Sequence, residues 1–288
     1  MLYITSLCSA KKRIVDSVKE LIDLGFRNIE LTGGTRFYAE VEEGLLDLKK
    51  TYQLNFLIHN YFPPQPEDFV LNLASSDLNL RNKARDLIKK AVVLSKKFGN
   101  NLYTLHPGFM NNLLPTLESG FFIKENKRVT SREDFYRALD FILGDIVGSD
   151  FKIAVENLCP KSFNDRYSFI SSLEDIEQFL GYYADRANVG VLLDLGHLNI
   201  ASQLIGFDKN KVLADMISRF KERIFEIHLS ENNGKADFHN ISSIDSWQIE
   251  FLSKNKEFIK SIPVVLEWQG CAGPLAYERF KIIQDRLG

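Results

Sequence analysis

The sequence predicts one α/β domain over residues 1–288, a (β/α)₈ TIM barrel of eight parallel strands ringed by helices. Three observations carry that prediction. Strand-like and helix-like runs alternate along the whole chain. The strand runs are continuously apolar, the habit of parallel strands buried on both faces. Six of the eight runs end at His59, His106, Glu156, Asp194, His228 and Glu267. A closed barrel gathers such ends on one rim, whereas an open doubly wound sheet places its ligand at a single switch point.

The elements follow in order. The first strand lies near residues 2–7. Ile14, Val18, Leu21 and Ile22 then share a helical face that Gly25 stops. The run NIELTG forms a second strand at about 29–33, and FLIHN a third, ending at His59. Ala84, Leu87, Ile88, Ala91 and Leu94 recur at helical spacing before Gly99. LYTLH is the fourth strand, KIAVEN the fifth, VGVLLDLG the sixth, IFEIHL the seventh and PVVLEW the eighth. Segments near 132–147, 171–182, 210–221, 244–256 and 275–286 read as helices. Two connections are long, 61–77 and 109–131, and both leave the rim where the polar residues end. Each is either a wall or lid of a pocket or a packed surface excursion.

Composition bounds the function. The chain is 45% hydrophobic and 26% charged, as in an ordinary globular enzyme. Its net charge of −2 gives no bulk support to a nucleic-acid partner, though a local basic patch would suffice for one. No apolar run reaches the length of a membrane span, and the amino-terminal segment lacks the order of a signal peptide. Cys8, Cys159 and Cys271 are scattered, without a CxxC pair, and read as reduced thiols of a cytoplasmic protein. No P-loop, GxSxG or GxGxxG fingerprint occurs.

The chemistry resides in the strand ends. All five histidines, His59, His106, His197, His228 and His239, lie at or just past apolar strand runs. Divalent ions need convergent deprotonated donors, imidazole for Zn²⁺ and carboxylate for Mn²⁺ or Mg²⁺. Glu156, Asp194, His228 and Glu267, one from each of the last four strands, form the expected primary set. Singly each has a bland alternative, and Asp194 in particular suits the N-cap of a helix. His59, His106, His197, Asp237 and His239 are further donors, or else partners that orient the primary ones. The cofactor expected is Zn or Mn, one to three ions per chain. Arg36 and Lys235 are candidate contacts for an anionic group on the substrate, and Tyr61, Phe62, Phe109 and Trp268 candidate stacking surfaces.

In order along the chain, RNIEL, HN at 59–60, HPG at 106–108, EN at 156–157, DLGH at 194–197, HLSE at 228–231, DFH at 237–239 and LEW at 266–268 resemble the xylose-isomerase-like barrel superfamily. That superfamily includes sugar isomerases, sugar epimerases and the endonuclease IV branch. The resemblance implies that Glu156, Asp194, His228 and Glu267 form the shared metal core. In the endonuclease IV branch, positions matching His59, His106, His197, Asp237 and His239 complete a three-zinc site. The chain departs from that branch at LYITSLCSA, NLCPKSF, DLGH and HLSENNGK, and these departures bear on DNA recognition more than on metal binding. The leading expectation is a metal-dependent isomerase or epimerase of a sugar, sugar phosphate or polyol, working through an enediolate. Glu156 and Glu267 would serve as base and acid. The alternative is an endonuclease IV-like phosphodiester hydrolase with DNA as partner. The oligomeric state stays open.

Overall fold

The protein is described from a computed structural model that covers residues 1–111, 113–115, 121–123, 130–145, 150–160 and 168–288. Among the described residues ten strands run in chain order: β1 Leu2–Thr5, β2 Asn28–Leu31, β3 Asn55–Ile58, β4 Leu102–Leu105, β5 Leu113–Pro115, β6 Phe121–Ile123, β7 Lys152–Glu156, β8 Val189–Asp194, β9 Ile224–Leu229 and β10 Val264–Leu266. The α-helices are α1 Ile14–Asp23, α2 Val41–Tyr52, α3 Leu78–Lys97, α4 Arg132–Asp145, α5 Leu173–Tyr182, α6 Leu195–Ile205, α7 Lys209–Phe220, α8 Trp247–Lys254, α9 Lys256–Ile259 and α10 Pro274–Leu287.

Eight strands form one parallel sheet in the order β3-β2-β1-β10-β9-β8-β7-β4. Its edges meet through a parallel bridge between His59 and Thr104, where the Asn60 N–H donates to the Thr104 carbonyl at 2.7 Å. The ring is therefore nearly closed, and the expected TIM barrel is the architecture observed. β5 and β6 form a separate antiparallel pair within the 109–131 connection, much of which lies outside the described residues. So do the last two positions of the helix expected at 132–147.

The sequence reading missed two helices. α2 shows only a thin apolar stripe, Val41, Leu45 and Leu48, around Gly44. α6 is buried from Leu195 to Ser202, so it carries no amphipathic signal, and it starts directly after β8 with no intervening loop. The helix expected at 244–256 is divided into α8 and α9 at Asn255. Serine and aspartate caps start several of the helices. Asp77 opens α3, Ser172 α5, Asp208 α7 and Ser246 α8, each side chain accepting a first-turn N–H.

The core has two compartments. The larger lies between strands and helices and includes Ile4, Ile29, Leu31, Ile58, Val155, Leu193 and Ile227. The smaller fills the lower barrel with Tyr3, Leu57, Leu102, Ala154, Leu192, Phe225 and Val265. Strand side chains alternate faces. Two residues past the inner apolar layer, the same inward face must therefore carry Thr5, His59, Thr104, Glu156, Asp194 and Glu267. β9 alone breaks the count. A register shift pairs Val191 with Ile224 but Leu192 with Glu226. That irregularity lets Phe225 join the lower layer and still turns Glu226 and His228 inward.

The cysteines far apart in sequence are not all far apart in space. Cys8 and Cys271 lie Sγ to Sγ 3.1 Å apart, and all three cysteines are free. Among the described residues, no helix is long and apolar enough to cross a membrane.

A candidate metal centre at the barrel rim

The strand ends converge. One donor atom each from Glu156, Asp194, His228 and Glu267 lies within 4.8 Å of the others, with all four residues buried. His59, His106 and Glu156 form a second such group. Glu156 joins them: its Oε2 is 3.4 Å from His59 Nε2 and 3.3 Å from His106 Nε2, and its Oε1 is 3.0 Å from His197 Nδ1. On the opposite side, Glu267 Oε2 is 3.3 Å from both His228 Nδ1 and His239 Nδ1. Asp237 Oδ2 bridges His197 Nε2 at 3.0 Å and His239 Nε2 at 2.8 Å. All nine residues singled out in the sequence thus belong to one connected network.

Local structure sets several of these positions. Asp194 ends β8 and caps α6, its Oδ1 accepting the His197 N–H at 2.5 Å. The capping and rim-facing roles coexist, because the other oxygen, Oδ2, has no hydrogen-bond partner. Asn157 clamps the turn, donating from its amide to the Asp194 carbonyl at 3.0 Å and accepting the Asp194 N–H at 2.8 Å. Gly196 is needed there: a Cβ would sit 2.5 Å from Ser230 Oγ. His239 holds φ 47° and Asn60 φ 41°, left-handed conformations that non-glycine residues adopt at a cost of order 1–3 kcal/mol. His239 belongs to the donor set, and Asn60 directly follows the donor His59.

The charges are strongly perturbed. Burial alone would raise Glu156, yet His106, His197 and His59 hold it well below the usual carboxylate range. Burial would likewise raise Glu267, and His239 and His228 hold it down. Burial pushes Asp194 up to about 7 against the pull of His197. Burial draws His59 down to about 3, which leaves a neutral imidazole, the form that can donate a lone pair. Burial disfavours charge on His239 too, but Glu267 and Asp237 raise it to about 11.

The donor set fits a divalent ion on physical grounds. Glu156 Oε2, Asp194 Oδ2, His228 Nδ1 and Glu267 Oε2 are buried without a hydrogen-bond partner. A buried unsatisfied polar atom costs about 1–3 kcal/mol, more if charged. Four at one spot, three of them carboxylate oxygens, are offset most directly by a cation.

The other expected contacts divide. Tyr61 stands at the site, its ring edge-on to His106 at 5.8 Å between centroids. Arg36 and Lys235 are exposed. Phe62 and Trp268 are fully buried in the main core, where the Trp268 indole N–H donates to Ser242 Oγ at 3.3 Å. Phe109 packs with Val70 and Leu158. The structure gives these last three a packing role. Two carboxylates escaped the sequence reading. Glu30 Oε2 and Glu226 Oε1 lie 3.1 and 3.0 Å from His228 Nε2, deep in the barrel, and with His59 and His228 they form a third potential donor group. The available signal was parity: Glu226 is two residues before His228 on one strand, and Glu30 interrupts an apolar strand run.

Fold and site together define a class: a parallel α/β barrel whose carboxyl-terminal rim gathers histidines and carboxylates. The chain belongs to the xylose isomerase-like TIM barrel family, whose model matches residues 18–251. Comparison with curated protein sequences returns no match. Solved structures resemble it over nearly the whole length. A D-tagatose 3-epimerase-like protein shares 20% identity at a TM-score of 0.73, covering 99% of this chain and 96% of that one. The 3-keto-D-glucoside 4-epimerase of E. coli shares 12% at 0.65, covering 99% and 98%. Endonuclease IV of Thermus thermophilus shares 16% at 0.64, covering 99% and 98%. At these identities the likeness shows the fold.

Proposed function

We propose that the chain is a divalent-metal-dependent isomerase or epimerase of a sugar, sugar phosphate or polyol. The observation that carries this reading is the convergence of Glu156, Asp194, His228 and Glu267, each with one unsatisfied buried donor atom. These four would hold the ion. When bound, it would supply Lewis acidity toward neighbouring hydroxyl and carbonyl oxygens of the substrate. Glu156 and Glu267 would take and return the proton on the carbon next to the carbonyl. Their neighbouring histidines hold both carboxylates ionised, so the one that acts first starts as the base and becomes the acid once it carries the proton. Tyr61 would form one wall of the sugar pocket, with Arg36 and Lys235 available to an anionic substituent.

One observation favours a second reading, an endonuclease IV-like hydrolase acting on DNA. His59 and His106 with Glu156, and His197 with Asp237 and His239, extend the donors beyond the needs of one ion. A single experiment separates the readings. The zinc- or manganese-loaded protein is incubated in D₂O with ketoses and ketose phosphates, and deuterium next to the carbonyl is followed by NMR. The first reading expects incorporation that Glu156→Gln and Glu267→Gln abolish. Ion-dependent nicking of an abasic duplex, with no deuterium incorporation and three ions per chain by elemental analysis, would replace it with the second.

A further inference from the structure

Beneath the rim donors lies a hydrogen-bonded chain of buried side chains. His59 Nδ1 is 2.8 Å from Thr104 Oγ1. Thr104 Oγ1 donates to Glu226 Oε1 at 3.3 Å. The same Oε1 lies 3.0 Å from His228 Nε2, and Glu30 Oε2 meets that nitrogen at 3.1 Å. None of these five side chains is more than 2% exposed. The chain sits between the lower apolar layer and the rim, and it links His59 of one rim donor group to His228 of the other.

We propose that Thr104, Glu226 and Glu30 are positioning residues that fix which ring nitrogen His59 and His228 each present to the rim. This rests on the ion-binding reading above. The hydroxyl of Thr104 has one proton. With that proton given to Glu226, its oxygen must accept from His59, so Nδ1 carries the hydrogen and Nε2 the lone pair. His59 Nε2 is the atom that faces Glu156. Glu226 Oε1, which accepts from Thr104, and Glu30 Oε2 both face His228 Nε2, so His228 donates from Nε2 and offers the lone pair of Nδ1, the atom that faces Glu267. The two histidines therefore present opposite nitrogens, one Nε2 and one Nδ1. A neutral imidazole has a single lone pair, and a partner on the far nitrogen settles where it lies before the ion arrives. The reversed chain, with Thr104 donating to His59, would point the His59 lone pair away from the rim.

The test uses the full chain labelled with ¹⁵N and two-bond proton–nitrogen correlation spectra of the imidazoles. The spectra are recorded metal-free and after zinc chloride addition. The metal-free spectrum is expected to show His59 as the Nδ1–H tautomer. The zinc-loaded spectrum should place zinc on His59 Nε2 and His228 Nδ1. Thr104→Val should leave the circular dichroism spectrum unchanged, mix the His59 tautomers and weaken zinc binding about 10–100-fold, the usual loss when a partner behind a ligand is removed. Thr104→Ser should restore both. An Nε2–H tautomer of His59 in the parent, or a Thr104→Val variant that keeps the parent tautomer and affinity, overturns the proposal. The metal-free tautomer judges the hydrogen-bonded chain without zinc, while zinc stoichiometry of the parent judges the ion site, so the two readings fail separately.

Discussion

Asp194 divides its two oxygens between two tasks, and that division can be tested. Oδ1 accepts the His197 N–H and caps α6, while Oδ2 is buried without a partner among the other donors. Asp194→Asn keeps a carbonyl oxygen for the cap but puts an N–H₂ group where a lone pair is needed. Asp194→Ala removes both. Loss of a cap costs typically about 1 kcal/mol. An ion at 100 times its dissociation constant stabilises the native state by about 2.7 kcal/mol, roughly 4–5 °C in melting temperature for a chain of this size. The parent should therefore gain that shift with zinc, and the Asn variant should gain none. The metal-free Asn variant should not be less stable than the parent. The pKa of Asp194 is raised from 3.8 to about 7. Its stabilising contribution, complete below pH 3.8, is thus lost as pH rises through about 7, and an amide escapes that loss. At pH 8 the metal-free Asn variant should exceed the parent by up to about 4 kcal/mol, and the Ala variant should fall about 1 kcal/mol below the Asn variant. Differential scanning calorimetry with chelator and with zinc reads all three. A full zinc-dependent shift in Asp194→Asn would refute the assignment of Oδ2 to the ion.

Further outcomes are expected. Glu156→Gln and Glu267→Gln should each lower turnover by about 10²–10⁴-fold, the range for a lost proton-transfer group, while the circular dichroism spectrum stays as in the parent. Ion affinity should rise with pH, because binding must displace the protons held by Asp194, raised to about 7, and by His228, which Glu30 and Glu267 raise well above the usual imidazole range against the effect of burial. Titration calorimetry in buffers of different ionisation enthalpy should show proton release, with affinity climbing about tenfold per pH unit for each proton displaced. Gly196→Ala should cost about 1–3 kcal/mol in urea unfolding, since its Cβ would press on Ser230 Oγ at 2.5 Å. Equal midpoints for variant and parent would show that β9 and α6 yield there without strain.

Much of this molecule is legible in one dimension. Buried parallel strands must be apolar on both faces, so the eight runs declare themselves, and a histidine or carboxylate at the end of such a run has no packing role to explain it. Six residues of the rim cluster declare themselves that way, and His197, Asp237 and His239 enter through the spacings DLGH and DFH. What the sequence could not convey is what happens across strands. Glu30 and Glu226 look like chance charges in apolar strand runs until ring closure sets them both against His228. The register shift in β9 lets Phe225 face inward next to Glu226 without turning His228 away, and nothing in IFEIHL announces it. Phe62 and Trp268 read as rim aromatics because they neighbour donors in the chain, yet the fold spends them on the core. α6 escaped detection because burial on all sides erases the amphipathic period that marks a helix. Alternation and burial are local properties that a sequence records directly. Register and the partner across the ring are properties of the closed sheet, and only the tertiary structure fixes them.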